Sequence, residues 1–240
     1  MKYFGKDSEL MCTKKRNERF SEIPIIFSLY KHESKGRGEI EEYIFNMYMK
    51  AFNASLDQFM PVLLVLESED NKCLGSLGIR EAGDAMLFLE RYLDSSIENV
   101  LHRCLRDSCS RHEIVEVGNL VTSFKGGSAW LIASLMSWSY YSSYKWVICT
   151  ATKELRNRLL NLGIKLYFLA NARAEHLPDQ EREMWGEYYE HRPYVIAIRV
   201  KDAVIAIKKR IGNSKSINEL IRQSEEYGLQ NYYKRILRII

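Results

Sequence analysis

No stretch of this 240-residue chain is apolar for the roughly 18 residues that a bilayer-spanning helix needs, so no membrane-spanning helix is expected. The basic Lys14-Lys15-Arg16 is not followed by the apolar segment of a secretory signal, and the expectation is a cytoplasmic protein. Its five cysteines form an odd set with no CxxC pair and no histidine at metal-ligand spacing. They read as reduced, mostly buried thiols, without a disulfide frame or a metal site. Internal repeats and low-complexity segments are also lacking. Net charge is scarce in the body of the chain: the total is +4, yet residues 201–240 hold nine Lys/Arg against four acids, leaving residues 1–200 near −1. A near-neutral body offers no electrostatic footprint for nucleic acid. The basic tail is the one departure.

What remains is an ordinary globular composition, 46% apolar and 28% charged, long enough to bury roughly 70–75% of the unfolded surface. Residues 1–22 are polar and aperiodic and are expected to be a flexible N-terminal extension. Residues 23–200 read as the folded domain, and 201–240 as a basic helical tail. Within the domain, 23–30 is a strand. Ile40, Tyr43, Ile44, Met47, Tyr48, Ala51 and Phe52 recur with helical period. Residues 60–82 read as an antiparallel hairpin whose second strand is closed by Arg80, a natural anion contact or an edge ion pair. Ser95-Ser96-Ile97-Glu98 opens another helix. Thr152–Asn161 is helical up to Gly163, Ile164–Ala170 and Tyr194–Val200 are strands, and 171–193 is a long polar loop rich in aromatics.

The organising stretch is 112–130. Ile114, Val115, Val117, Leu120 and Val121 make a strand covered on both faces, interrupted by Glu116 and Asn119, where desolvation is costly without a partner or ligand. Lys125-Gly126-Gly127-Ser128-Ala129 then turns the chain into a helix that leads to a second strand, Trp146–Ala151. This is a β-α-β unit with parallel strands. Unpaired N–H groups at such a turn can hold a phosphate, although a plain strand-to-helix turn looks the same in sequence.

The order of elements resembles the GNAT acyltransferase fold: a mixed, mostly antiparallel sheet with helices on both faces and a parallel pair flanking the glycine turn. In that fold a Gln/Arg-x-x-Gly-x-Gly/Ala turn holds the pyrophosphate of acyl-CoA. Here Phe124 stands in the Gln/Arg place. Phe59-Met60-Pro61, Gly78-Ile79-Arg80, Leu87 to Asp94, Glu116-Val117-Gly118-Asn119-Leu120 and Trp185-Gly186-Glu187-Tyr188-Tyr189 together resemble the thermostable haemolysin family over about residues 37–200. That family is similar in turn to the acyl-homoserine lactone synthases, which pass an acyl group from acyl carrier protein to the amine of S-adenosylmethionine. Asn119 replaces the arginine usual three residues after the strand glutamate.

The resemblance implies an N-acyltransferase with no tightly bound cofactor, using acyl-CoA or acyl-phosphopantetheine as co-substrate and a small-molecule amine as acceptor. An acidic acyl carrier protein could meet the basic tail. Glu116 is the candidate base or amine-orienting group, its pKa raised by burial, and Tyr188 or Tyr189 the candidate acid. Lys125, Gly126, Gly127, Ser128 and Ala129 would hold the donor's phosphate. Arg80, Glu90, Asn119, Thr150 and Trp185 are the substrate-binding candidates. Glu116→Gln is expected to stop turnover and spare the fold. Two other classes stand beside this one: a membrane-active haemolysin, and a non-catalytic binding module with the same fold, which Phe124 favours. A third alternative concerns Glu116 alone, as a buried partner of Arg80 or Arg91 that only fixes the sheet.

Overall fold

The computed structural model describes residues 25–83, 86–211 and 215–239, so the expected N-terminal extension lies outside the described residues. The chain runs β1 (Ile25–Tyr30), α1 (Arg37–Phe52), β2 (Val62–Ser68), β3 (Cys73–Glu81), a 3-10 turn (Phe88–Tyr92), α2 (Ile97–Leu105) and β4 (Ile114–Thr122). It continues with α3 (Gly127–Tyr141), β5 (Trp146–Ala151), α4 (Lys153–Asn161), β6 (Tyr167–Asn171), α5 (Asp179–Met184), β7 (Tyr194–Arg199), α6 (Val200–Ile211) and α7 (Lys215–Ile239). Seven strands form one sheet in the order β1-β2-β3-β4-β5-β7-β6. Among the described residues only β4 and β5 are parallel; every other neighbour pair is antiparallel.

Period-two alternation divides the sheet's side chains between two layers. Leu64, Leu66, Val115, Val117, Val147, Cys149, Ile196 and Ile198 face α3, α6 and α7. Leu63 and Val65 face α1, and Ile114, Trp146, Ile148, Val195 and Ala197 face α2 and the 3-10 turn. The sequence of α3 has no charged residue, and eleven of its fifteen residues are buried. That composition suits a helix enclosed by sheet on one side and by α6 and α7 on the other.

Two segments differ from sequence expectation. Residues 171–193 carry the short helix α5 and two 3-10 turns in place of a loop. Their aromatic side chains pack inward, which gives short helical turns the burial they need to form. β6 begins at Tyr167, three residues later than expected, because it pairs antiparallel with β7, which has inserted between β5 and β6.

Candidate functional site at the parting of two strands

β4 and β5 are paired only from Ile114 to Val117 against Trp146 to Cys149. Beyond that point β4 bulges. Gly78 pairs with Gly118 and Ser76 with Val121, so β4 takes three steps where β3 takes two. Asn119 absorbs the extra residue at φ 49°, a left-handed conformation that asparagine tolerates better than most residues. Its Oδ1 accepts the Met60 N–H at 3.0 Å, which ties the segment before β2 to the bulge. The parted strands open a cleft of about 950 Å³ whose walls include Arg80, Glu116, Asn119, Lys125, Thr150 and Tyr188.

Glu116 is 2% exposed. Its Oε1 accepts the Leu89 N–H at 2.8 Å and its Oε2 the Phe88 N–H at 3.1 Å, while Arg80 Nη1 approaches Oε2 at 3.5 Å. The carboxylate therefore caps the 3-10 turn. Burial pushes its pKa above the ordinary carboxylate value, against the pull of the Leu89 N–H, Arg80 and the Phe88 N–H. Its ion pair is with Arg80. Arg91 instead pairs with Glu181 of α5 and lies over the Phe88 ring at 4.7 Å.

On the other bank, Gly126 (φ 92°) is the N-cap of α3. No acid stands in the first turn of that helix, so its positive end has no intrinsic counter-charge. Lys125, Gly126, Ser128 and Ala129 line the cleft, and Gly127 does not. The reason is Phe124: a Cβ on Gly127 would sit 2.7 Å from the Phe124 ring, which also meets Trp130 edge-on at 6.1 Å. The ring thus folds down onto the turn, where a longer polar side chain would reach toward a ligand.

The third wall is aromatic. Trp185 packs against Tyr48, Phe88, Tyr188 and Tyr189. Gly186 makes the approach possible: at φ 48° it lies so close to α1 that a Cβ would be 2.4 Å from the Phe52 and Asn53 carbonyl oxygens. The Tyr188 hydroxyl lies 3.3 Å from Thr150 Oγ1 and 3.4 Å from the Thr150 carbonyl, and burial raises its pKa. The Tyr189 hydroxyl is bonded to that of Tyr92, and its pKa is pushed up to about 12, chiefly by burial.

Glu90, expected to bind substrate, is placed away from the cleft. It is absent from the cleft wall and accepts the Leu87 N–H at 2.7 Å, the Ile97 N–H at 2.8 Å and Arg111 Nη1 at 2.6 Å. Burial opposes its ionisation, yet Arg111 and the two N–H groups hold its pKa below the ordinary value. Sequence reasoning in turn missed the apolar floor of the cleft, formed by Ile132, Leu135, Met136, Leu159 and Leu162, and the two arginines at its edge, Arg158 and Arg210. Leu159 sits on a segment legible as a helix, but nothing local shows that it stands apart from the helix that follows the glycine turn. Among the described residues no cluster of His, Cys, Asp or Glu could hold a metal ion.

A bulged central strand, a parallel neighbour that parts from it and a glycine turn opening the intervening helix define a GNAT-like fold of the acyl-homoserine lactone synthase type. Solved structures agree. The acyl-homoserine lactone synthase LasI superposes with a TM-score of 0.53 at 11% identity, covering 78% of this chain and 96% of its own. FeeM, an N-acyl amino acid synthase from uncultured soil microbes, gives 0.54 at 11% identity over 78% and 97%. BjaI, a CoA-dependent acyl-homoserine lactone synthase solved with SAM and isopentyl-CoA, gives 0.51 at 9% identity over 82% and 98%. The thermostable hemolysin family model matches residues 30–204, and the chain belongs to that family. No protein of curated function matches it in sequence.

Proposed function

We propose that this protein transfers an acyl group from a pantetheine thioester to the amine of a small molecule. The observation that supports the reading is the strand parting: the N-terminus of α3, an apolar floor and a buried carboxylate all line one cleft. The donor's phosphate would sit at Lys125 and the amides of Gly126, Ser128 and Ala129. Its acyl chain would lie on Ile132, Leu135, Met136 and Leu159, and backbone N–H groups freed at the bulge would polarise the thioester carbonyl. Attack by the amine nitrogen on the carbonyl carbon expels the thiolate. One amine proton leaves toward Glu116, directly or through water, and the thiolate takes a proton from Tyr188 or from solvent. Arg80, 30% exposed at its side chain and turned to the cleft, would hold an anionic group of the acceptor.

Asn119 engages Met60, so the position where the synthases carry arginine serves the bulge here, and nothing at that position supports S-adenosylmethionine as the acceptor. Either CoA or a carrier protein suits the donor side. Of the basic tail, Arg210 of α6 edges the cleft, whereas α7 runs away from it to Ser142 at the far end of α3. An acidic carrier would therefore meet α4 and α6 rather than α7.

The test is a thermal-shift screen against CoA, acyl-CoAs and acyl carrier protein, followed by a free-thiol release assay with amines, including amino acids. Stabilisation by a thioester donor, diminished in Lys125→Glu, is the expected result. Absence of any response to pantetheine ligands would transfer the assignment to a non-catalytic binding module, the reading that the Phe124 ring on the glycine turn favours.

A further inference from the structure

From Tyr227 to Ile239, the second half of α7 contains no acidic residue. Its inner side is firmly seated: a Cβ on Gly228 would lie 2.7 Å from the Trp138 carbonyl, Asn231 Nδ2 donates to the Tyr144 hydroxyl at 3.4 Å, and Arg235 donates to the carbonyls of Ser142 and His112. On its outer side Leu229, Tyr233 and Leu237 recur at i, i+4 and i+8 and are 41%, 63% and 74% exposed. Leu229 also edges a groove of about 640 Å³ shared with Tyr140, Lys145, Lys201 and Tyr232. The acids of that groove are already engaged, Asp107 with Arg199 at 2.9 Å and Glu113 with Lys145 at 2.8 Å. Among the described residues Lys201 and Lys234 have no acid within ion-pairing distance, whereas Arg235 is held by its two carbonyls and lies over the Tyr144 ring at 4.2 Å.

We propose that this face docks the protein on an anionic lipid bilayer. Leu229, Tyr233 and Leu237 would enter the boundary between headgroups and acyl chains, where an apolar stripe and tyrosine rings are favoured, and Lys201 and Lys234 would meet the headgroup charge. Charge selects this occupant over a second copy of the chain, because a two-fold contact would set the same uncompensated lysines against each other. Nucleic acid would leave the apolar stripe exposed. The face lies at the C-terminal end of α3, about 22 Å along the helix from the glycine turn, so a docked molecule keeps its cleft open to solutes. An acyltransferase held in this way would release an amphiphilic product beside a membrane, but the docking stands whether or not acyl transfer does.

The experiment is co-sedimentation of the full chain with vesicles of phosphatidylcholine alone and with phosphatidylcholine containing about a quarter phosphatidylglycerol. Binding to the anionic vesicles, weakened by added salt, is expected. The triple variant Leu229→Ser/Tyr233→Ser/Leu237→Ser should bind about tenfold more weakly or worse with an unchanged melting temperature, since all three side chains are exposed. Lys201→Glu/Lys234→Glu should lose the preference for phosphatidylglycerol. The proposal falls if the wild type stays in the supernatant at low salt or if the triple variant binds as tightly as wild type. It also falls if light scattering shows that the stripe holds a dimer and vesicles recruit no protein.

Discussion

Three successive N–H groups at the start of the 3-10 turn, those of Leu87, Phe88 and Leu89, are each taken by a carboxylate, the first by Glu90 and the next two by Glu116. The two pKa values shift in opposite directions because Glu116 is the more deeply buried and its guanidinium, Arg80, stands at 3.5 Å, whereas Arg111 lies 2.6 Å from Glu90 and offsets its burial. Glu90, with a lowered pKa, contributes stability that is present above its unfolded value and is lost as pH falls through its folded value. Glu116, with a raised pKa, contributes stability that is complete below its unfolded value and is lost as pH rises through its folded value. Urea unfolding across a pH series should therefore show the acid-side loss of stability shrinking in Glu90→Gln and persisting in Glu116→Gln. Glu90→Gln should also cost about 3 kcal/mol at neutral pH, as a buried pair broken on one side does. The expectation that Glu116→Gln spares the fold needs revision. A glutamine would turn an amide donor toward one of two N–H groups, and a loss of about 1–3 kcal/mol follows. Glu116→Asp separates the roles: it keeps the charge while shortening the reach, so a variant that is stable yet inactive would tie Glu116 to turnover. If wild-type activity depends on the ionised form, its acid limb should lie above the ordinary carboxylate range.

At the scale of elements, the β-α-β unit, the hairpin and the parallel pair were legible because each rests on local periodicity and turn chemistry. The bulge was not, since Asn119 is one residue in an apolar run and only its pairing with β3 shows the extra step. The setting of Glu90 was not legible for a related reason: its partner Arg111 lies 21 residues onward in another turn. The Trp185-Gly186 pair was legible as a motif, while its cause is spatial. Gly186→Ala should cost about 1–3 kcal/mol from left-handed strain alone, and more because its Cβ would press on the Phe52 and Asn53 carbonyls. Displacement of Trp185 should follow, read as a change in tryptophan fluorescence and a weaker response to acceptor amines. Unchanged fluorescence and stability would show that the 3-10 turn at Tyr188–His191 can shift as a unit without disturbing the cleft.

For the whole molecule, the decisive relation is between α3 and the helix that the family match leaves out. The match ends at residue 204, inside α6, yet α7 packs along α3 with Leu220 and Ser224 fully buried and Gly228 against the Trp138 carbonyl. Arg235 then caps the C-terminal end of α3 through the Ser142 carbonyl. A helix without a single charged residue cannot face water on that side without exposing a large apolar patch. Removing residues 212–240 should therefore yield a chain that aggregates or melts many degrees lower, rather than a minimal domain. The milder Gly228→Leu should force α7 away from Trp138, destabilise by about 1–3 kcal/mol and leave the distant cleft able to bind a donor. If instead the truncated chain stays monomeric and melts within a few degrees of the intact protein, α7 is an appendage to a domain complete without it, and the packing along α3 does not set the stability of the fold.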